Sequence, residues 1–175
     1  MVSEAVALSR VDRAWAVLAG VLDPEVPVIS VCDLGIVRDV VDRGEGSGLT
    51  VVVTPTYSGC PATEVIEQSI VDALVADGLG PVRVEMRRAP AWTTDWMSEA
   101  GREKLRAYGI APPGLVAPGA AVPLRFVPRA RPVAIACPRC ASTDTERIAA
   151  FGATACKALW RCRACAEPFE HFKPL

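Results

Sequence analysis

Two short motifs near the end of the chain carry the most specific chemistry in the sequence. "CPRC" contains Cys137 and Cys140, "CRAC" contains Cys162 and Cys165, and 21 residues separate the two pairs. A two-residue spacer lets a tight turn direct both thiolates at one ion, and two such turns supply the four sulfurs of a tetrahedral site. The intervening length is one residue beyond the usual range, a small departure for a connecting hairpin. The spacing predicts a four-cysteine metal site.

The metal at this site is open between zinc and iron. Four cysteines bind zinc, a single iron or an iron-sulfur cluster. Zinc is favoured because it forms a closed structural site without tuned redox surroundings, and because about 40 residues are too few for a stable core without such a staple. Iron at the same site would instead make the chain an electron-transfer protein.

A separate cysteine, Cys60, lies between Gly59 and Pro61 in "TPTYSGCPATEVIEQSIVDAL". If Pro61 is the first helical residue, Cys60 is the N-cap, and its sulfur faces free amide groups at the positive end of the helix dipole. Both effects favour thiolate over thiol, which predicts a nucleophile or a metal ligand. The alternative is a buried, inert cysteine, which is the expectation for Cys32 within the apolar run "VISVCDLG".

The remaining candidates have weaker signals. Cys156 is predicted to be a small packed side chain of the tail, with substitution as a metal ligand as the alternative. His171 is the only histidine; a surface or stacking role is preferred to ligation, and its place in the tail argues against a catalytic pair with Cys60. Asp23 and Glu25 form an acidic pair in the turn "DPEVP" and, taken alone, would be a solvated turn.

The elements that must position Cys60 follow from apolar periodicity. Leu8, Val11, Trp15, Leu18 and Leu22 recur at helical spacing, and the helix should stop before Pro24. Valine-rich segments around a glycine-rich break predict a hairpin with strands near 36–42 and 49–54, followed by a helix over about 61–77 and a strand at "VRVEMRR". This order predicts an α+β fold, a small mixed sheet with helices on one face.

The C-terminal half is predicted to contain a helix, a connector and a metal module. Thr94 or Asp95 is the expected N-cap of a short helix that continues through Leu105, with Gly109 beyond its end. Prolines then recur through residues 111–134, and their spacing excludes a regular helix throughout this segment. We therefore predict a domain at 1–110, a proline-rich connector at 111–134 and a four-cysteine zinc-ribbon module at 135–175.

The composition limits the compartment and the partners. Nineteen basic and twenty acidic residues give a net charge of -1, which argues against nucleic-acid binding. Charged residues interrupt the N-terminal segment, and no apolar run reaches the length of a membrane span, so we expect a cytoplasmic protein without membrane contact. In a reducing compartment, seven cysteines favour metal ligands or reactive thiols over disulfides.

Two segments, "LDPEVPVISVCDLGIVRDV" and "VTPTYSGCPATEVI", resemble the SufT-like domain of iron-sulfur cluster assembly. The DPE(I/V)P turn, the DLG element and the TxxxxGCP helix start of that domain all have counterparts in this chain. The resemblance implies that Cys60, with Asp23 and Glu25, takes part in the transfer of iron or a cluster. It also implies a transient iron or iron-sulfur cargo, besides the zinc of the tail.

The whole arrangement, with "FGATACKA" and "EPFEHFK" in the tail, resembles the PaaD family, D subunits associated with the multicomponent phenylacetyl-CoA monooxygenase (1,2-epoxidase) of bacterial phenylacetate degradation. The resemblance implies a non-catalytic accessory subunit that assists iron-sulfur or di-iron centre maturation. Its partners would be the other subunits, especially the iron-sulfur reductase. A single histidine and the absence of a glycine-rich dinucleotide motif agree with this. A structural adaptor is the alternative, and exposed sheet edges would permit a homodimer.

Overall fold

The computed structural model describes residues 9–44, 46–57, 59–114 and 134–174. Its chain divides into two compact units: residues 1–92 with 96–101, and residues 93–95 with 102–175. The predicted connector at 111–134 lies mostly outside the described residues, and the predicted domain boundaries stay predictions. We refer to the two parts as the assembly unit and the ribbon unit, and each is described by itself.

The elements of the assembly unit follow the predicted order. They are α1 (Arg10–Leu18), β1 (Val37–Asp42), β2 (Leu49–Val53), α2 (Ala62–Ala76) and β3 (Val82–Met86). Ser9 begins α1 through a capping box, in which the Asp12 N–H donates to the Ser9 hydroxyl and the Ser9 N–H donates to the Asp12 carboxylate. Leu22, predicted for the apolar face of this helix, instead lies beyond its end and is 47% exposed.

The three strands form the predicted mixed sheet. β1 and β2 pair antiparallel, with Val37 opposite Val53, and β3 joins the other side of β2 in parallel. α1 packs on β1, α2 packs on β3, and the two helices contact each other, so they share one face of the sheet. Every residue of β2 is buried because this strand is central. The α+β class is therefore confirmed.

The strand directions decide which loops are neighbours. In an antiparallel hairpin the start of β1 lies beside the end of β2, and β3, parallel to β2, ends at the same place. The Thr54 N–H donates to the Ile36 carbonyl at 2.8 Å, and the Arg87 N–H donates to the Val53 carbonyl at 2.8 Å. The segment before β1, which holds the DLG element, and the segment after β2, which holds Cys60, thus emerge at one end of the sheet.

The helix predicted from Thr94 or Asp95 begins later than expected. α3 spans Glu99–Tyr108, and the Gly101 N–H donates to the Ser98 hydroxyl at 2.9 Å, so Ser98 is the capping residue. The prediction was wrong because Thr94–Trp96 forms a separate 3-10 turn with Thr94 buried. Gly109, with a φ of +94°, ends the helix as predicted.

The ribbon unit is built on a four-stranded sheet in the order β4 (Ile110–Ala111), β7 (Pro168–Phe172), β6 (Lys157–Cys162) and β5 (Thr145–Ala149). β5, β6 and β7 form an antiparallel meander, and the two-residue β4 adds in parallel to β7. β4 carries too short a signal to be found in the sequence. This meander brings the two CxxC motifs together.

Candidate functional site

The four predicted metal ligands converge at one point of the ribbon unit. Their Sγ atoms all lie within 4.8 Å of one another; the Cys137–Cys165 separation is 3.8 Å, and the Cys140–Cys162 separation is 3.6 Å. Zinc-sulfur bonds of about 2.3 Å in a tetrahedron place sulfurs about 3.8 Å apart. The donors therefore fit a tetrahedral ion, and they form the one group of three or more potential ligands within residues 9–44, 46–57, 59–114 and 134–174.

The two CxxC turns share one backbone device. In each motif the residue after the second cysteine, Ala141 or Ala166, has a positive φ, 58° and 62° respectively. The Ala141 N–H donates to the Cys137 carbonyl at 2.9 Å, which closes the first turn, and the Cys162 N–H donates to the Glu167 carbonyl at 2.9 Å across the second. The local sequence thus builds each half of the site, and the β5–β6–β7 meander joins the halves.

The pKa values of the ribbon cysteines differ from one another. A hydrogen bond from the backbone N–H of Cys165 lowers the pKa of Cys162 to about 7. At Cys140 the backbone N–H of Ser142 also lowers the pKa, but hydrogen bonds shared with the neighbouring sulfurs outweigh it and raise the pKa to about 12. The four cysteines would hold a divalent ion as thiolates, so binding of the ion would release these shared protons to solvent.

Neither Cys156 nor His171 belongs to this group. Cys156 is half-buried, with its Sγ 3.0 Å from the Thr154 hydroxyl. His171 is buried, contrary to a surface position, and meets Trp160 edge-on with ring centroids 6.0 Å apart. Burial lowers the pKa of His171 to about 4, so its ring is neutral at pH 7. Side chains alternate between the two faces of β7, so His171 lies on the same buried face of the strand as Phe169.

Cys60 lies one residue before the N-cap of α2 and is not itself the N-cap, as had been predicted. The N-cap is Pro61, and Cys60 is half-buried immediately before it. The Thr63 N–H donates to the Cys60 carbonyl at 3.2 Å, three residues back, so a tighter turn precedes the first α-helical bond. This turn is why the N-cap prediction was wrong. The thiolate character of Cys60 stays a prediction.

The acidic turn is organised by Asp23. Its Oδ1 accepts the backbone N–H groups of Glu25 at 2.9 Å and Val26 at 2.8 Å, and its own N–H donates to the Ile29 carbonyl at 2.9 Å. Asp23 therefore fixes the turn, and both acidic side chains are half-buried. The roles of Asp23, Glu25 and Cys60 in transfer stay predictions.

The DLG element is structural, which the sequence reasoning missed. Asp33 accepts the hydroxyls of Ser98 at 2.8 Å and Ser30 at 3.0 Å, and the Leu34 carbonyl accepts the Trp92 indole N–H at 2.9 Å. Gly35 has a φ of +68°, and a Cβ there would lie 2.4 Å from the Trp96 carbonyl oxygen. The element thus locks the loop before β1 onto Trp92, Trp96 and Ser98 of the same unit.

Cys32, within the same loop, serves as an internal reference for reactivity. Burial, and then the charge of Asp33, raise the pKa of the Cys32 thiol to about 11. A thiol with that pKa is almost wholly protonated at neutral pH. This supports the inert role predicted for Cys32.

Two family models match the two parts of the chain. Residues 12–86 match the model described as iron-sulfur cluster assembly protein, and residues 125–173 match the PaaD zinc beta ribbon domain. Fold and site together therefore define an iron-sulfur assembly domain joined to a zinc ribbon. A domain of unknown function from Bacillus anthracis has the assembly fold, with 26% identity, a TM-score of 0.51, and coverage of 55% of this chain and 91% of its own.

The full-length comparison is more specific. The chain is 48% identical over 168 residues, 96% of its length, to the D subunit of the Escherichia coli (strain K12) system named "Putative 1,2-phenylacetyl-CoA epoxidase", and 95% of that subunit is covered. It is also 37% identical over 83 residues to an "Fe-S protein maturation auxiliary factor" of Porphyromonas gingivalis, covering 47% of this chain and 77% of that one. The chain belongs to the PaaD family. Among its described helices, none is long and apolar enough to cross a membrane.

Proposed function

We propose that this protein is a non-catalytic accessory subunit of a phenylacetyl-CoA 1,2-epoxidase system and assists the maturation of an iron-sulfur or di-iron centre in its reductase or oxygenase. The observation that carries the proposal is the union, on one chain, of an iron-sulfur assembly domain and the ribbon of the PaaD family. The full-length similarity to the D subunit of an epoxidase supports the assignment to that enzyme system. The similarity to a maturation auxiliary factor supports a role in the maturation of a metal centre.

The two cysteine sites have different roles in this proposal. Four thiolates complete a tetrahedron and leave no open position, which suits a structural zinc ion. Cys60 lies outside the four-sulfur group, half-buried at a helix entrance, and this position suits a ligand that receives and releases iron or a cluster. Asp23 and Glu25 assist or orient this transfer, and the ribbon docks the partner.

The chemistry of the described residues supports an accessory role over a catalytic one. The only histidine is buried and neutral, and the only cluster of potential ligands in the described ranges is the closed four-thiolate group. An oxygen-activating iron site needs open coordination positions and carboxylate or histidine ligands. The client subunit would therefore supply the oxygen chemistry.

Replacement of Cys60 tests the transfer role, and Cys32 provides a matched control. Both cysteines are half-buried in the assembly unit, and Cys32 has a raised pKa. We expect Cys60→Ser to fold and to retain ribbon zinc, while the reductase and oxygenase purified from those cells lose iron and acid-labile sulfide and epoxidation stops. Cys32→Ser should leave both unchanged.

Full client loading in cells that carry Cys60→Ser would contradict the maturation role. If removal of residues 134–175 then abolished assembly of the complex, the chain would be an adaptor. Metal analysis of the purified protein completes the test: one zinc per chain is expected, and a coloured, redox-active ribbon would instead indicate electron transfer.

A further inference from the structure

The four ribbon cysteines divide into a buried pair and an exposed pair. Cys137 is 2% exposed and Cys162 is fully buried, and both belong to the apolar core of the ribbon unit, which also holds Trp160. Cys140 and Cys165 are exposed. The first cysteine of each CxxC motif is therefore anchored in the core, whereas the second lies at the surface, within reach of small molecules in solvent.

Each exposed sulfur lies beside a buried sulfur of the other motif. The Cys140–Cys162 separation is 3.6 Å, and the Cys165–Cys137 separation is 3.8 Å. A disulfide bond is about 2.05 Å long, so the sulfurs of the first pair need to approach by only about 1.5 Å. A small movement of the surface turn is enough to bring Cys140 to bonding distance of Cys162.

The ribbon sulfurs keep their thiolate character when they hold zinc. Zinc has no redox chemistry of its own, so any oxidation of the loaded site falls on its ligands. The arginine of each motif is already paired with a carboxylate, Arg139 with Glu167 at 3.2 Å. In the second motif, Arg163 pairs with Glu146 at 2.8 Å. The susceptibility of a cysteine to oxidation follows its thiolate character and its exposure, and the exposed pair has both properties.

We propose that the ribbon is an oxidation site at which hydrogen peroxide converts Cys140 and Cys162 to a disulfide and thereby releases zinc. The inference deepens the proposed function, on which it rests for the identity of the ion as zinc. It adds a chemical signal to which the ribbon responds, whereas the proposed function gives the ribbon a docking role only.

The reaction has two steps. The Cys140 thiolate attacks one oxygen of the peroxide and becomes a sulfenic acid, and hydroxide leaves. The Cys162 thiolate then attacks the oxidised sulfur, which forms the S–S bond and expels the second hydroxide. The two thiolates lose two electrons in total, and the peroxide, with two protons from solvent, becomes two molecules of water.

Loss of these two ligands opens the metal site. Only Cys137 and Cys165 remain as thiolates, and two sulfurs do not complete the four-coordinate site of a structural zinc ion. A small unit depends on such a staple for its stability, so oxidation would loosen the ribbon. A dithiol reverses the change, because it is oxidised to its own disulfide as the Cys140–Cys162 bond is reduced to two thiols.

The test treats the full, zinc-loaded chain with hydrogen peroxide. A metallochromic indicator measures the zinc released, and peptide mass spectrometry maps the disulfides. We expect about one zinc ion for each disulfide, with Cys140 joined to Cys162, and dithiothreitol with added zinc should restore the zinc content. Burial, and then the charge of Asp33, raise the pKa of Cys32 to about 11, so this thiol should be oxidised at least ten-fold more slowly.

Two variants separate this inference from the proposed function. Cys156→Ser and Cys60→Ser each keep all four ribbon sulfurs and should release zinc at the rate of the parent chain. Cys140→Ser lacks a ligand of the site, so the disulfide map of the parent chain identifies the reacting pair instead. Absence of a peroxide response together with an intact Cys60 dependence of client loading would overturn the oxidation inference alone.

Three outcomes contradict the inference. The first is retention of zinc at a peroxide concentration that oxidises the thiols of the unfolded chain. The second is zinc release that yields sulfinic or sulfonic acids and no disulfide, because those products are not reduced by a dithiol. The third is a disulfide within one CxxC motif, or one that includes Cys60 or Cys156, in place of the Cys140–Cys162 bond.

Discussion

Contacts between residues close in sequence position the ribbon cysteines, whereas contacts between residues far apart in sequence form the surroundings of Cys60. Each CxxC turn is closed by bonds between residues a few positions apart, and one short meander joins the two turns. Cys60 instead lies at one end of a sheet whose neighbouring loop is fixed by contacts from Trp92 and Ser98. A site made by local turns can be recognised from spacing, whereas a site made by distant segments needs the fold.

Charge separates the same two regions. The described residues of the assembly unit include seven basic and twelve acidic side chains, a net charge of -5, against +3 for those of the ribbon unit. The near-neutral total of -1 conceals this division. Four thiolates around a Zn²⁺ ion would add a charge of -2 to the ribbon, so the zinc-loaded ribbon would be close to neutral while the assembly unit stays acidic.

Loss of one of the four ribbon cysteines should have the largest effect on stability. This effect should be confined to the ribbon unit. Cys162→Ala removes a fully buried sulfur of the tetrahedron. Structural zinc contributes on the order of 10 kcal/mol to the folding of small domains, more than such a domain retains without it. We expect loss of zinc and proteolysis of residues 134–174 while the assembly unit stays folded. Cys156→Ser is the control and should keep zinc; equal stability of both variants would contradict a structural site.

The DLG loop offers the next largest effect, within the assembly unit. In Gly35→Ala the new Cβ would lie 2.4 Å from the Trp96 carbonyl oxygen, at a positive φ. We expect a loss of about 3 kcal/mol in the free energy of unfolding, measured by urea denaturation. Gly44→Ala has a φ of +89° and open space, so it should cost only about 1 kcal/mol. Equal losses would mean that the contact with Trp96 does not fix the loop.

A smaller effect is expected in the thiol reactivity of Cys60 and Cys32, which both lie in the assembly unit. Because the pKa of Cys32 is raised to about 11, its thiolate fraction at pH 8 is about one in a thousand. In zinc-loaded protein we expect iodoacetamide to modify Cys60 at least ten-fold faster than Cys32, measured by peptide mass spectrometry. Unfolded protein, in which the two should react alike, is the control. Faster modification of Cys32 would argue against Cys60 as the reactive site.

Protonation of His171 should have the smallest effect. The pKa of this residue falls from about 6.5 in the unfolded chain to about 4 in the folded one, because burial disfavours the imidazolium. Its contribution is thus fully present above pH 6.5, is lost as the pH falls towards 4, and is constant below that. The melting temperature of wild type should fall more steeply over this window than that of His171→Gln. Parallel pH profiles would mean that the histidine is accessible to protons in the folded state.

Several features could be predicted from the sequence because they depend on short-range rules. The CxxC spacing identified the four ribbon sulfurs that converge, apolar periodicity identified α2 within one residue at each end, and the glycine-rich break placed the β1–β2 hairpin. The PaaD resemblance, carried by motifs along the chain, was confirmed by the full-length comparison. Each signal lies in short motifs or in the spacing of residues along one segment, where local geometry follows from residue type.

Other features were decided only by tertiary structure. A turn with a three-residue hydrogen bond moved the N-cap of α2 from Cys60 to Pro61, and the hydroxyl of Ser98 set the start of α3. The burial of His171 depends on β6. The sequence by itself identified the four ribbon cysteines whose sulfurs converge. The fold determined their surroundings, because burial and pairing depend on residues far apart in the chain.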